Sequence, residues 1–63
     1  MMDKLLEIIH RINEAYTDST PPDQAWYKMS AVITNSFRRG EITAAETESL
    51  RIYNKEMYDL MMS

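Results

Sequence analysis

Gly40 is the only glycine in the chain, and it sits inside Arg38-Arg39-Gly40-Glu41-Ile42-Thr43-Ala44-Ala45-Glu46, a stretch that reads as one helix stopping and another starting. Glycine takes the left-handed conformation that closes helices, and Arg38 and Arg39 supply the cations that favour a helix C-terminus. Thr43 then opens a Thr-x-x-Glu capping box with Glu46, a helix-start signal. A chain with this punctuation near its middle folds as helices meeting at a tight corner.

The remaining spacing extends that reading to three helices. Leu5, Ile8, Ile9, Ile12, Ala15 and Tyr16 fall on one face of a helix predicted over about 3–16. Glu7, Arg11 and Glu14 lie opposite, and Leu6 stands off the stripe. Asp3 is the expected N-cap. The turn-rich run Thr17-Asp18-Ser19-Thr20-Pro21-Pro22 follows. Thr20-x-x-Asp23 resembles a second capping box, with Pro21 at the first helical position, where its missing N–H is harmless. The second helix is predicted over 21–39, with Ala25, Trp26, Met29, Val32, Ile33 and Phe37 inward and the bulky Trp26 and Phe37 anchoring the core. The third is predicted over 44–61, with Leu50, Tyr53, Met57, Leu60 and Met61 as a seam and Ala45 and Ile42 closing the corner. No segment alternates with the two-residue period of a strand. The expected fold is an all-α three-helix bundle in a single domain over 1–63, closed within one chain or completed by dimerisation.

Size sharpens the question of support. A chain of 63 residues buries roughly 60% of the surface its unfolded form exposes, so its stability margin is small. There is no cysteine, which removes disulfides and thiolate metal sites. With a single histidine, a zinc site is not expected either. Self-association or a partner protein is the remaining support, although idealised helix packing alone can suffice. No apolar run has the length of a signal-peptide core or a membrane span, so a cytoplasmic protein with no membrane role is expected. A short chain of this kind suits a bacterial or phage setting.

The net charge of −3 is unevenly spread. Lys4 and Arg11 face Asp3, Glu7, Glu14, Asp18 and Asp23 in the first part; Arg51 and Lys55 face Glu41, Glu46, Glu48, Glu56 and Asp59 in the last. The middle holds Lys28, Arg38 and Arg39 with no acid. Charge complementarity between neighbouring helices is the expected meaning.

Chemistry is sparse. One glycine cannot make a phosphate-binding loop, and no serine sits in a nucleophile elbow. His10 lies between Glu7 and Glu14 on the polar face of the first helix and reads as a solvated side chain. No catalytic, cofactor-binding or metal-ligating residue is expected, and no enzyme. DNA binding through a helix-turn-helix across Gly40 is the alternative, with Arg38, Arg39, Arg51 and Lys55 as its cations. Its reading helix would begin Thr43-Ala44-Ala45-Glu46-Thr47-Glu48-Ser49, where two acids meet the phosphates, so nucleic acid is the weaker expectation. The pattern Gly40-x-Ile42-Thr43-x-x-Glu46 with Leu50 also resembles the short helical oligomerisation modules called SHOCT domains. The likeness covers fewer than half the residues, and Thr47 stands where those modules commonly carry an aromatic; a cap-and-restart corner accounts for the same residues.

The leading functional expectation is protein binding, as a homodimer or with another protein, in a regulatory, inhibitory or assembly role. Its candidate surface is the apolar and aromatic excess of the third helix, Tyr53, Met57, Tyr58, Met61, Met62 and Ile52, together with Tyr27, which projects off the second helix's stripe.

Overall fold

A computed structural model describes residues 3–63 as three helices: α1 (Lys4–Ala15), α2 (Pro22–Arg38) and α3 (Ala44–Met62). Each predicted helix is present, with ends within about two residues of the expected positions. The helices pack on one another as an all-α three-helix bundle. α2 and α3 run antiparallel, and α1 lies against both, its start tied to the α2–α3 corner by Lys4 Nζ to Glu41 Oε1 at 3.6 Å.

The corner forms as its residues dictate. Gly40 has φ +74°, and among the described residues nothing beyond its two chain neighbours lies within 4 Å of where its Cβ would be. A larger residue would therefore meet backbone strain there, not a clash. The Gly40 N–H donates to Phe37 O at 3.0 Å and the Glu41 N–H to Ser36 O at 2.9 Å, the paired bonds of a Schellman cap. Three residues later the capping box is complete: Glu46 N–H donates to Thr43 Oγ1 at 3.1 Å and Thr43 N–H to Glu46 Oε1 at 2.8 Å. The other two helix starts are plainer. Asp3 is the N-cap of α1 but its side chain makes no capping bond. The expected Thr20–Asp23 box does not form: Pro21 is the N-cap, Pro22 takes the first helical position, and the Thr20 hydroxyl turns back to Thr17 at 3.0 Å. The second proline moved the helix start on by one residue and left Thr20 outside it.

The core is Ile8, Ile12 and Tyr16 from α1 and its end, Ala25, Met29 and Ile33 from α2, Ile42 at the corner, and Leu50 from α3. Each fully buried Ile, Leu or Met contributes about 1.5–3 kcal/mol. Three polar residues share this interior: Ser36, Thr47 and Asn54. Their presence overturns part of the sequence reading. Trp26 is 43% exposed and Phe37 45%, so neither anchors the core. The small side chains one residue before each, Ala25 and Ser36, are buried instead. Leu60 is 70% exposed and Ala45 is exposed, because α3 is rotated so that Thr47, Leu50 and Asn54 face inward. The charge expectation is also corrected. The close ion pairs among the described residues are Lys4 with Glu7 and Glu41, His10 with Glu14, Arg39 with Glu41 and Lys55 with Asp59, and none joins the helical residues of α2 to another helix.

One hydrogen-bonded cluster ties all three helices together. The Tyr16 hydroxyl, at the end of α1, donates to Asn54 Oδ1 at 2.6 Å and lies 3.2 Å from the Asn54 carbonyl oxygen. The Asn54 amide nitrogen donates in the other direction, to Trp26 O at 3.3 Å and Ser30 Oγ at 3.4 Å on α2. Asn54 is 1% exposed, so its amide would be costly to bury without these partners. Ser36 shows the opposite case. Its Oγ is buried with no hydrogen-bond partner among the described residues.

These two sites give contrasting expectations in urea denaturation. Tyr16→Phe and Asn54→Ala should each lower stability by about 1–3 kcal/mol, since each strands a buried polar group. Their double-mutant cycle should show a coupling of about 0.5–3 kcal/mol; strictly additive losses would mean the two side chains do not act together. Ser36→Ala should leave stability unchanged or raise it by up to about 1 kcal/mol, because it deletes an unpaired hydroxyl and improves helix propensity. A clear loss would reveal a partner for that hydroxyl.

Candidate functional site

Rotating α3 to bury Asn54 turns the adjacent side chains outward beside α2. On α2, Asp23, Trp26, Ser30, Thr34 and Phe37 recur at helical spacing along the same side. On α3, Tyr58, Lys55, Arg51 and Glu48 descend antiparallel to them. Between the two rows runs a groove. Its first part holds about 520 Å³ lined by Asp23, Trp26, Tyr27, Lys55 and Tyr58. It continues through about 390 Å³ past Ser30, Thr34 and Arg51. It ends in about 370 Å³ between Phe37 and Ala44, Thr47 and Glu48. Trp26 and Lys55 line the first two parts, and Arg51 the last two, so the three are continuous.

The aromatic end is held in shape by side-chain contacts. Trp26 and Tyr58 rings lie 6.4 Å apart at 59°, a tilted arrangement favoured by ring quadrupoles. The Tyr58 hydroxyl donates to Asp23 Oδ1 at 2.7 Å, which joins the two walls across the groove. That bond, followed by partial burial, raises the Tyr58 pKa above the ordinary tyrosine value of 10.0. Burial in the polar cluster raises Tyr16 as well, with a smaller effect from Tyr58. At the corner, the hydrogen bond from Arg39 chiefly lowers Glu41.

The residues expected at an interface are divided by the fold. Tyr27, 75% exposed, and Tyr58 line the groove together. Tyr53, Met57 and Met61 are half-buried and pack against the core, and the Tyr53 hydroxyl donates to Asn13 Oδ1 on α1. Ile52 and Met62 are exposed and do not line the groove. The four cations considered for DNA also part company. Arg51 and Lys55 line the groove, Arg39 is paired with Glu41 at 3.2 Å, and Arg38 is exposed at the end of α2. Trp26 and Phe37 are the groove residues that sequence reasoning assigned elsewhere. The signal available was their position one residue after Ala25 and Ser36.

Among the described residues no three His, Asp or Glu side chains gather as metal ligands, and no helix is long and apolar enough to cross a membrane. Comparison with protein-family models, with curated proteins and with solved structures finds no match to the chain.

The raised tyrosine values carry a sign. The folded chain holds the Tyr16 and Tyr58 protons more tightly than the unfolded chain does. Stability from these two phenols is thus complete below the unfolded pKa of about 10 and is lost as pH rises through the raised values. Urea midpoints measured from pH 8 upward should hold steady until about pH 10 and then fall, less steeply in a Tyr16→Phe, Tyr58→Phe double variant. Equal slopes in the two chains would remove this linkage.

Proposed function

We propose that this chain is a non-enzymatic protein-binding module, and that the groove between α2 and α3 is where it receives another polypeptide. The carrying observation is the alignment of three aromatic side chains, Trp26, Tyr58 and Phe37, along one groove that α1 leaves uncovered. Scattered exposed apolar residues are ordinary on any surface, whereas one continuous groove with aromatic side chains at both ends fits an interaction site. Aromatic residues and arginine are also the types that dominate binding energy when a partner excludes water from them. Regulation, inhibition or assembly are the roles open to such a module, and a second copy of the chain is one form of partner.

DNA association is the weaker reading. The start of α3 spends Glu46 on its own cap and turns Thr47 and Leu50 inward, leaving Glu48 outward among the residues a duplex would meet. Phosphate repulsion opposes that contact.

Trp26→Asp tests the binding reading without touching the core. Sedimentation over a concentration series, joined to affinity capture from a bacterial lysate, should give the wild-type chain either a dimer or a distinct captured protein. Trp26→Asp should keep its helical circular dichroism and lose that association by at least about tenfold, the scale of one aromatic hot spot. A chain that stays monomeric and captures nothing Trp26-dependent would sink the proposal.

A further inference from the structure

We infer that the occupant of the groove is an amphipathic helix of a different protein, apolar at both ends of its docking face and acidic in the middle. The inference rests on the protein-binding reading above and adds the chemistry of the partner.

The groove has a charge order as well as an aromatic order. Trp26 and Tyr58 hold one end, and Phe37 the other. Trp26 and Phe37 are eleven positions apart on α2, which is about 16 Å at 1.5 Å per residue. Midway between them one wall carries the hydroxyls of Ser30 and Thr34, and the other carries Lys55 and Arg51, one turn apart on α3. Acids occur only towards the ends. Asp23 already accepts the Tyr58 hydroxyl, and Glu48 lies beside Phe37. Arg51 makes no ion pair among the described residues, and Lys55 meets only Asp59, at 3.5 Å. Both members of that pair are well exposed, 71% and 60%, so it is readily given up. The centre of the groove is therefore positive, flanked by aromatic ends.

This order selects among occupants. A second copy docking by a two-fold axis at the groove's centre would bring Lys55 and Arg51 against their own counterparts, four cations offset only by the exposed Asp59 beside each Lys55. A nucleic-acid strand would find the two central cations but carry its phosphates past Asp23 and Glu48, and the same helix bears Glu56 and Asp59 outward. A helix with carboxylates at its middle meets neither problem. Its Asp or Glu can take a paired hydrogen bond from the Arg51 guanidinium and a second charge from Lys55, while apolar side chains eleven positions apart enter the aromatic ends.

The probe is a displayed library of 18-residue helical peptides, with Leu or Phe fixed at positions 3 and 14 and positions 7 and 10 free to be acidic, basic or neutral. It is selected on the intact chain, with counter-selection on Trp26→Ala. Trp26 is the only tryptophan, so its fluorescence reports occupancy of the groove directly for each selected peptide. Expected is enrichment of Asp or Glu at positions 7 and 10, with binding at least tenfold weaker to Arg51→Glu, an exposed change whose folding circular dichroism checks. Winners that need Trp26 but are neutral or basic at those positions, or that bind Arg51→Glu equally well, overturn the acidic partner and leave protein binding in place. Self-association that buries Trp26 does the same in favour of a second copy. A selection with no Trp26-dependent winner overturns the acidic partner and the binding groove together.

Discussion

The hydrogen bonds around Asn54 govern the arrangement of this small bundle. A carboxamide in an apolar interior is tolerated only with its donors and acceptor engaged. Asn54 meets that condition in one orientation of α3, with Tyr16 on one side and the Trp26 carbonyl and Ser30 hydroxyl on the other. Apolar contacts alone are forgiving about rotation, since a methionine or leucine slightly displaced still finds neighbours. The carboxamide is not forgiving. Because it fixes the rotation of α3, it also decides that Tyr53 and Met57 pack on the core, that Lys55 lines the groove, and that Tyr58 does both.

The same cluster explains which parts of the fold were legible from the residues. The corner at Gly40 was readable because each signal there acts locally: a left-handed glycine, a following Thr-x-x-Glu, and nothing distant to override them. The face of α1 was readable because its stripe is apolar up to the closing Tyr16. The inner faces of α2 and α3 were harder, since Ser36, Thr47 and Asn54 occupy interior positions while Trp26, Phe37 and Leu60 lie outside. Bulk and hydrophobicity placed Ala25, Met29, Ile33 and Leu50 correctly but misplaced Trp26, Phe37 and Leu60, each one position from an inward residue. In an unbroken seam of α3 the inward positions are Thr47, Leu50, Asn54, Met57 and Met61, spaced by three and four. Two polar members hide that seam until their partners on other helices are known.

The candidate site was legible in its composition more than in its place. An excess of aromatic and methionine side chains on α3, with Tyr27 on the second helix, was evident, but not that Trp26 and Phe37 line the groove's other wall. Tyr27 and Tyr58 belong to it, and their partners are Trp26 and Phe37, which had been assigned to the core. Tyr53, Met57 and Met61 went the other way, into packing. A three-helix domain has so little interior that each bulky residue is claimed either by the core or by the surface, and only the long-range contacts assign it.

The displaced aromatics also bear on why the groove exists at all. Folding alone would favour Trp26 and Phe37 inside, where each would bury far more apolar area than Ala25 or Ser36 does. Placing small residues inward instead leaves two large rings on one rim, half in water. Chance exposure would scatter such rings around the helix. Here they stand eleven positions apart on the same side of α2, with two hydroxyl residues between them and two cations across the gap. The arrangement forgoes some core stability in a chain short of it, and it produces a surface graded from aromatic to positive to aromatic. Under the binding proposal, a partner that covered this groove would recover the buried area that the chain by itself forgoes, so binding and stabilisation would be one process.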